Sequence, residues 1–215
     1  MRDLLMLSTL FFGLATTAVA AACPGQTGKV IFSDDFSDDS GGWDAVANSV
    51  FVPNALQLTS DANQVGVAVH NLTFNAIDGD YCAEFVFPSS PPDAKNKDSV
   101  GLEILASDYN NLFLFMANSA GVAQIFRKAN GAWSQIGADA KVDAIKTQPS
   151  SVNSLRVVVK DQKMTFFVNG TQVKVLRAQV AANQNRFGLF VESDTAPSSP
   201  RAFLVKSFNL TDGSQ

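Results

Sequence analysis

Residues 153–175 constrain the fold of this chain more than any other stretch. Two apolar runs and the start of a third are punctuated by Asp161-Gln162 and by Asn169-Gly170. Asn-Gly supplies the two positive-φ positions of a type I′ hairpin turn, and the flanking Val, Thr and Phe suit a pleated, half-buried surface. The segment therefore reads as an antiparallel meander. No residue set in the chain meets the spacing of a nucleophile motif, a phosphate-binding loop or a zinc site.

Strand-like runs follow one another through the remainder: 30–36, 55–59, 65–72, 80–87, 99–106, 112–117, 122–128, 132–136, 152–160, 163–168, 171–176, 186–192 and 201–210. Short strands at this spacing, with none alternating with a helix, specify an all-β chain, a two-sheet antiparallel sandwich. Residues 138–145 favour a short helical turn, because Ala and Lys are helix formers, and Pro149 ends it. The Pro- and Ser-rich segments 88–98 and 194–200 read as loops. Apolar residues make up 46% and charged ones 17%, which argues for an extensively buried core, with most of the 17 Phe inside it. A formal charge of −4 with scattered Lys and Arg offers no stripe for a polyanion, so nucleic acid is not an expected partner.

The first residues read as an address. Arg2 precedes an apolar run from Leu4 to Leu14, and Ala18-Val19-Ala20 supplies the small residues of a cleavage site. Residues 1–20 are thus expected to be a signal peptide, 21–29 an N-terminal arm, 30–211 one sandwich domain and 212–215 a tail. The run is too short for a transmembrane anchor, which needs about 20 apolar residues. The expected location is secreted or periplasmic. There the two cysteines, Cys23 and Cys82, are expected to form a disulfide that pins the arm to the strand at 80–87. The alternative is a lipid anchor at Cys23, since Ala20-Ala21-Ala22-Cys23 has the small residues of a lipobox, although it lacks the usual Leu and would strand Cys82.

A set of short motifs then stands out in order: Asp34-Asp35-Phe36-Ser37-Asp38 with Gly42-Trp43, Asp108-Tyr109-Asn110-Asn111, Asn130-Gly131-Ala132-Trp133, Asn153-Ser154-Leu155-Arg156-Val157, Phe167-Val168-Asn169-Gly170 and Gly188-Leu189-Phe190. Over residues 30–210 the chain resembles the concanavalin A-like jelly-roll domains, in particular the laminin-G-like and 3-keto-disaccharide hydrolase type of exported bacterial proteins. The resemblance implies two antiparallel sheets, one of them concave and used for sugars. It also implies a structural calcium near the first and last strands, for which Asp34, Asp35 and Asp38 are the candidates by their oxygen-rich chemistry. Lys206 stands where a further acid would help.

Laminarinase-type relatives carry a Glu-x-Asp-x-x-Glu cluster on one strand, which this chain lacks. The nearest strand carboxylates, Glu84 and Glu103, are the catalytic candidates, and they would face each other only if their strands are neighbours. His70, the single histidine, lacks the partners of a metal shell and reads as structural. For ligand binding the candidates are Tyr109 and Trp133 as stacking faces, Asn111 as a hydroxyl partner and Arg127 as a planar clamp. By the same resemblance Trp43 is expected to be a core anchor behind the first strand. The expected activity is carbohydrate or glycan recognition, with a glycoside-cleaving enzyme of the 3-keto-disaccharide hydrolase type, or a structural envelope or adhesion module, as the alternatives.

Overall fold

The computed structural model describes residues 23–92, 96–177, 183–194 and 196–214, so the expected signal peptide lies outside the described residues. The strands are β1 (Val30–Asp34), β2 (Ser49–Val52), β3 (Ala55–Ser60), β4 (Gly66–His70), β5 (Gly79–Val86), β6 (Asp98–Asp108), β7 (Asn111–Asn118) and β8 (Val122–Ala129). They continue with β9 (Ala132–Gln135), β10 (Ala140–Lys141), β11 (Val152–Lys160), β12 (Lys163–Val168), β13 (Thr171–Arg177), β14 (Arg186–Ser193) and β15 (Arg201–Thr211). A back sheet runs β13-β12-β11-β5-β15-β3-β2, with β1 added on β15, and a front sheet runs β10-β8-β7-β6-β14-β4, with β9 added on β8. Every pairing is antiparallel. The chain is thus the all-β sandwich its sequence announces.

The meander at 153–175 forms as expected. Asn169 and Gly170 take φ of 48° and 79°, and Asp161 and Gln162 take 51° and 59°, so both hairpins close through left-handed pairs. Of the helical turn expected at 138–145 only a hydrogen-bonded turn at its end forms, the Ile145 N–H donating to the Val142 carbonyl at 3.1 Å. Val142 and Ile145 are buried in the core, and this anchoring lays Ala140 and Lys141 against Ala123 and Val122 as the short strand β10. Tertiary burial here outweighs a helix propensity of a few tenths of a kcal/mol per residue.

Alternation sorts each strand. Tyr81, Ala83 and Phe85 of β5, Val100, Leu102 and Ile104 of β6, and Phe187, Leu189 and Val191 of β14 all enter one core between the sheets. Trp43, Phe32, Phe74, Phe187 and Phe208 form an aromatic knot at one end, with Phe187 and Phe208 stacked at 4.7 Å. Each buried ring contributes about 1.5–3 kcal/mol of transfer free energy. At the opposite end the sheets are tied by an ion pair: Arg201 of β15 donates from Nε at 3.1 Å and from Nη2 to the buried Asp98 of β6. On the outer side of the back sheet Cys82 bonds Cys23, with 6.1 Å between their Cα atoms, and Arg156 makes two 2.7 Å bonds to Asp80. On this outer side of β5 the N-terminal arm thus covers Asp80 and Cys82, which are buried, while Glu84 and Val86 are half-buried.

Candidate functional site

Cross-strand partners point the same way, so the front sheet's outer face can be followed in rows across its strands. One row holds Trp133, Lys128 and Leu112. The next holds Gln135, Phe126, Leu114, Glu103, Gly188 and His70. A third holds Gln124, Met116, Gly101, Phe190 and Ala68, and a fourth Asn118, Ser99, Glu192 and Gly66. Leu112, Leu114, Met116, Phe126 and Phe190 pack into a second, smaller apolar cluster on this face. Over it opens a groove of about 520 Å³, lined among others by Glu103, Tyr109, Phe126, Lys128, Trp133 and Glu192. The strands under it are apolar on both faces because one face meets the back sheet and the other floors the groove.

Glu103 sits in the middle of this floor and is only 2% exposed. Its Oε2 lies 2.5 Å from His70 Nε2, across Gly188 of the intervening strand β14. A Cβ at Gly188 would lie 2.4 Å from His70 Cδ2 and 3.0 Å from Glu103 Oε2, so the missing side chain is what lets the pair meet. Tyr109 lies flat on the imidazole, with centroids 4.0 Å apart and planes at 11°, and its hydroxyl donates to Asp44 Oδ2. Asp44 Oδ1 in turn accepts the His70 backbone N–H at 2.7 Å. Burial first, and then the Asp44 carboxylate, push the Tyr109 phenol up, which keeps it a donor. Bulges in β6 between Ile104 and Asp108, and in β14 between Arg186 and Gly188, bend both strands beside this cluster and bring Tyr109 over His70.

At the other end of the groove Glu192 stands two rows from Glu103. Burial, then the charge of Asp194, push its carboxyl up to about 7. Four residues of strand separate the two positions, about 13 Å of backbone, with Phe190, Gly101 and Met116 between them. The Glu103 carboxylate is drawn sideways to His70, not along the groove. The rim is formed by Trp133, 46% exposed, with Lys128 Nζ 4.9 Å from its ring centre and Phe126 edge-on to it at 6.2 Å.

The structure brings Tyr109 and Trp133 together on one groove and leaves Asn111 and Arg127 out of it. Asn111 donates its amide N–H to Asp108 and accepts the Asn130 backbone N–H at its Oδ1, tying two adjacent turns together. Arg127 is in register with the core residue Phe113 and lies over that ring at 5.7 Å, so it projects from the face opposite the groove. Its neighbour Lys128 is the groove cation. Glu84 lies in β5 on the outer side of the back sheet, beside the Ser207 hydroxyl, and a Glu84–Glu103 pair is excluded because β5 and β6 belong to different sheets. Asp34 accepts from the Phe36 N–H and the Trp43 indole, Asp35 from Ser37 and Asp38 from Ser40. These carboxylates close their own turns and do not converge, and among the described residues no three His, Cys, Asp or Glu side chains group as metal ligands.

Asp44, Lys128, Phe126 and Glu192 were not singled out from sequence, and Phe190 stood out only within the fold motif Gly188-Leu189-Phe190. Glu192 did leave a trace, as an acid inside a strand whose other residues are nearly all apolar, and Phe126 and Lys128 share the parity that Arg127 lacks. Nothing local connects Asp44 to His70, which lie 26 residues apart.

Compared by sequence, the chain matches no family profile and no curated protein. By structure it is similar to the catalytic domain of an endo-1,3-beta-glucanase (laminarinase) from Thermotoga petrophila RKU-1, at 8% identity and TM-score 0.63 over 88% of this chain and 100% of that one. It is also similar to a beta-glucanase of Bacillus licheniformis, at 10% identity and TM-score 0.58 over 86% and 99% of the chains. A carbohydrate binding module, CBM66, of Bacillus subtilis aligns at 16% identity and TM-score 0.57 over 77% and 94%. These likenesses establish the jelly-roll sandwich fold. No helix among the described residues is long and apolar enough to cross a membrane.

Proposed function

We propose that this chain is an exported carbohydrate-recognition domain that takes a saccharide along the outer face of its front sheet. One observation carries the reading: a single groove joins an exposed indole, Trp133, and a fixed phenol, Tyr109, to a buried carboxylate, Glu103, over an apolar floor. Sugar C–H faces stack on such rings, and their hydroxyls seek carboxylates whose lone pairs remain free. Glu103 bonds His70 through Oε2 alone, leaving Oε1 for a ligand hydroxyl. The similar folds act on or bind glycans by their own descriptions, which supports the class but not the residues. Export is supported by the Cys23–Cys82 disulfide, a bond kept in oxidising compartments. With Cys23 Sγ so engaged, a thioether lipid at that residue is disfavoured.

Glycoside cleavage of the 3-keto-disaccharide hydrolase type is the second reading, favoured by the way His70, Tyr109 and Asp44 hold Glu103 in mid-groove. The spacing of the groove acids weighs against it, since a retaining pair stands about 5–5.5 Å apart and an inverting pair about 6.5–9.5 Å. A glycan array with the mature protein, followed by calorimetry on the hits, tests both. Binding without release of reducing ends supports recognition, and turnover abolished by Glu103→Gln would shift the assignment to catalysis. Trp133→Ala should weaken any bound sugar by about 1–3 kcal/mol while leaving the melting temperature nearly unchanged. Loss of stability with unchanged binding would sink the groove assignment.

A further inference from the structure

The geometry points to a saccharide bearing free amino groups as the ligand of this groove, an inference that rests on the carbohydrate reading above. The lining carries two acids, Glu103 and Glu192, on an otherwise largely apolar floor. Its one base, Lys128, is already placed over the Trp133 indole at 4.9 Å. Glu103 has His70 at 2.5 Å, and neither it nor Glu192 is answered by a Lys or Arg side chain among the described residues. Asp194, by contrast, has Lys97 at 3.8 Å.

Two polar atoms mark where ligand groups belong. Glu103 is buried to 2% exposure, and no hydrogen bond among the described residues engages its Oε1. Beside Glu192 in register, the hydroxyl of the buried Ser99 has no hydrogen-bond partner among the described residues. A buried hydroxyl and a carboxylate next to one another, both unanswered, suit an ammonium group, which donates up to three hydrogen bonds and cancels the charge. Burial already pushes Glu192 up to about 7, which is how a carboxylate short of a cation behaves. The same two acids repel a uronate and give a neutral hexose only hydroxyl contacts. The apolar row between them, Phe190, Gly101 and Met116, suits the C–H faces of the rings that link the amines.

The test is calorimetry of the mature protein at pH 7.5 with three probes: a β-1,4-linked glucosamine tetramer, its fully N-acetylated counterpart and the β-1,4-glucose tetramer. The amine tetramer should bind at least tenfold more tightly than the other two, and the gap should close in Glu192→Gln and in 0.5 M salt, since screening weakens charge pairing. Trp133→Ala should weaken all three together. Equal binding of amine and neutral tetramers, or a preference that Glu192→Gln and salt both leave intact, overturns the inference and leaves carbohydrate recognition standing. Failure of all three probes, with an empty glycan array, overturns both. The salt dependence of the unmodified protein decides the matter even if the variant fails to fold.

Discussion

A methyl group at position 188 would have nowhere to go. It would meet the Val69 carbonyl oxygen at 2.6 Å as well as the His70 ring, and the backbone contact cannot swing aside. Gly188→Ala is therefore expected to cost about 1–3 kcal/mol in chemical denaturation, and to weaken ligand binding by pushing Glu103 off His70. Glu192 offers the opposite case. Its folded carboxyl, at about 7, holds a proton that the unfolded chain has already lost near pH 4.5, so the native state binds more protons between those values. Stability should fall as pH rises from about 4.5 through about 7. Glu192→Gln should flatten that slope and gain about 1–2 kcal/mol at pH 8, after allowance for the solvent that reaches the groove. A denaturation midpoint measured at pH 5 and pH 8 in both proteins checks the sign, and an unchanged slope would show that Glu192 titrates normally.

At the scale of single strands, the central strand β5 is stapled from behind. Cys23 and Cys82 close a loop over a sequence separation of 59 residues, and reduction is expected to lower stability by up to about 4 kcal/mol while the far-UV β-signal survives. Complete loss of that signal would mean the core is far weaker than its packing indicates. Arg156→Met should cost about 3 kcal/mol, because it leaves the Asp80 carboxylate buried without its counter-ion, and burial already pushes that group up. Strands were readable from sequence where the period-2 pattern was strong, as in β11 and β12. Which face each parity would occupy was not. In β8, Gln124, Phe126 and Lys128 oppose Ala123, Ile125 and Arg127, and both sets mix apolar and polar residues, so only the register with Phe113 and Leu114 decides that Lys128, not Arg127, reaches the groove. The same limit hid β10, whose conformation is imposed by the burial of Val142 and Ile145.

Across the molecule, one core runs between the two sheets and is closed at one end by rings and at the other by the Asp98–Arg201 ion pair. A continuous core of this kind should unfold as one cooperative unit. The two tryptophans make this measurable, since Trp43 is locked in the core while Trp133 stands at the groove rim. Their fluorescence should lose native character in the same denaturant range as the far-UV signal, and separated transitions would reveal two independent halves. A saccharide ligand should perturb only the Trp133 component, so the response should vanish in Trp133→Phe. The jelly roll was legible because its turn pairs and alternating strands are local signals. The His70, Glu103, Tyr109 and Asp44 cluster was not, because four segments meet there only once the sheet has formed.

Cys23 is fixed to the outer side of the back sheet, and the last described residues lie beside the same arm, with Asp212 accepting the Lys29 N–H and Thr211 bonding the Thr27 carbonyl. Both ends of the described chain thus emerge together on the side facing away from the groove. A tether at either end holds the molecule by its back. Coupled to a bead, a sensor chip or a fusion partner through either end, the domain would display its sugar-facing surface outward, with the whole thickness of the sandwich between tether and ligand.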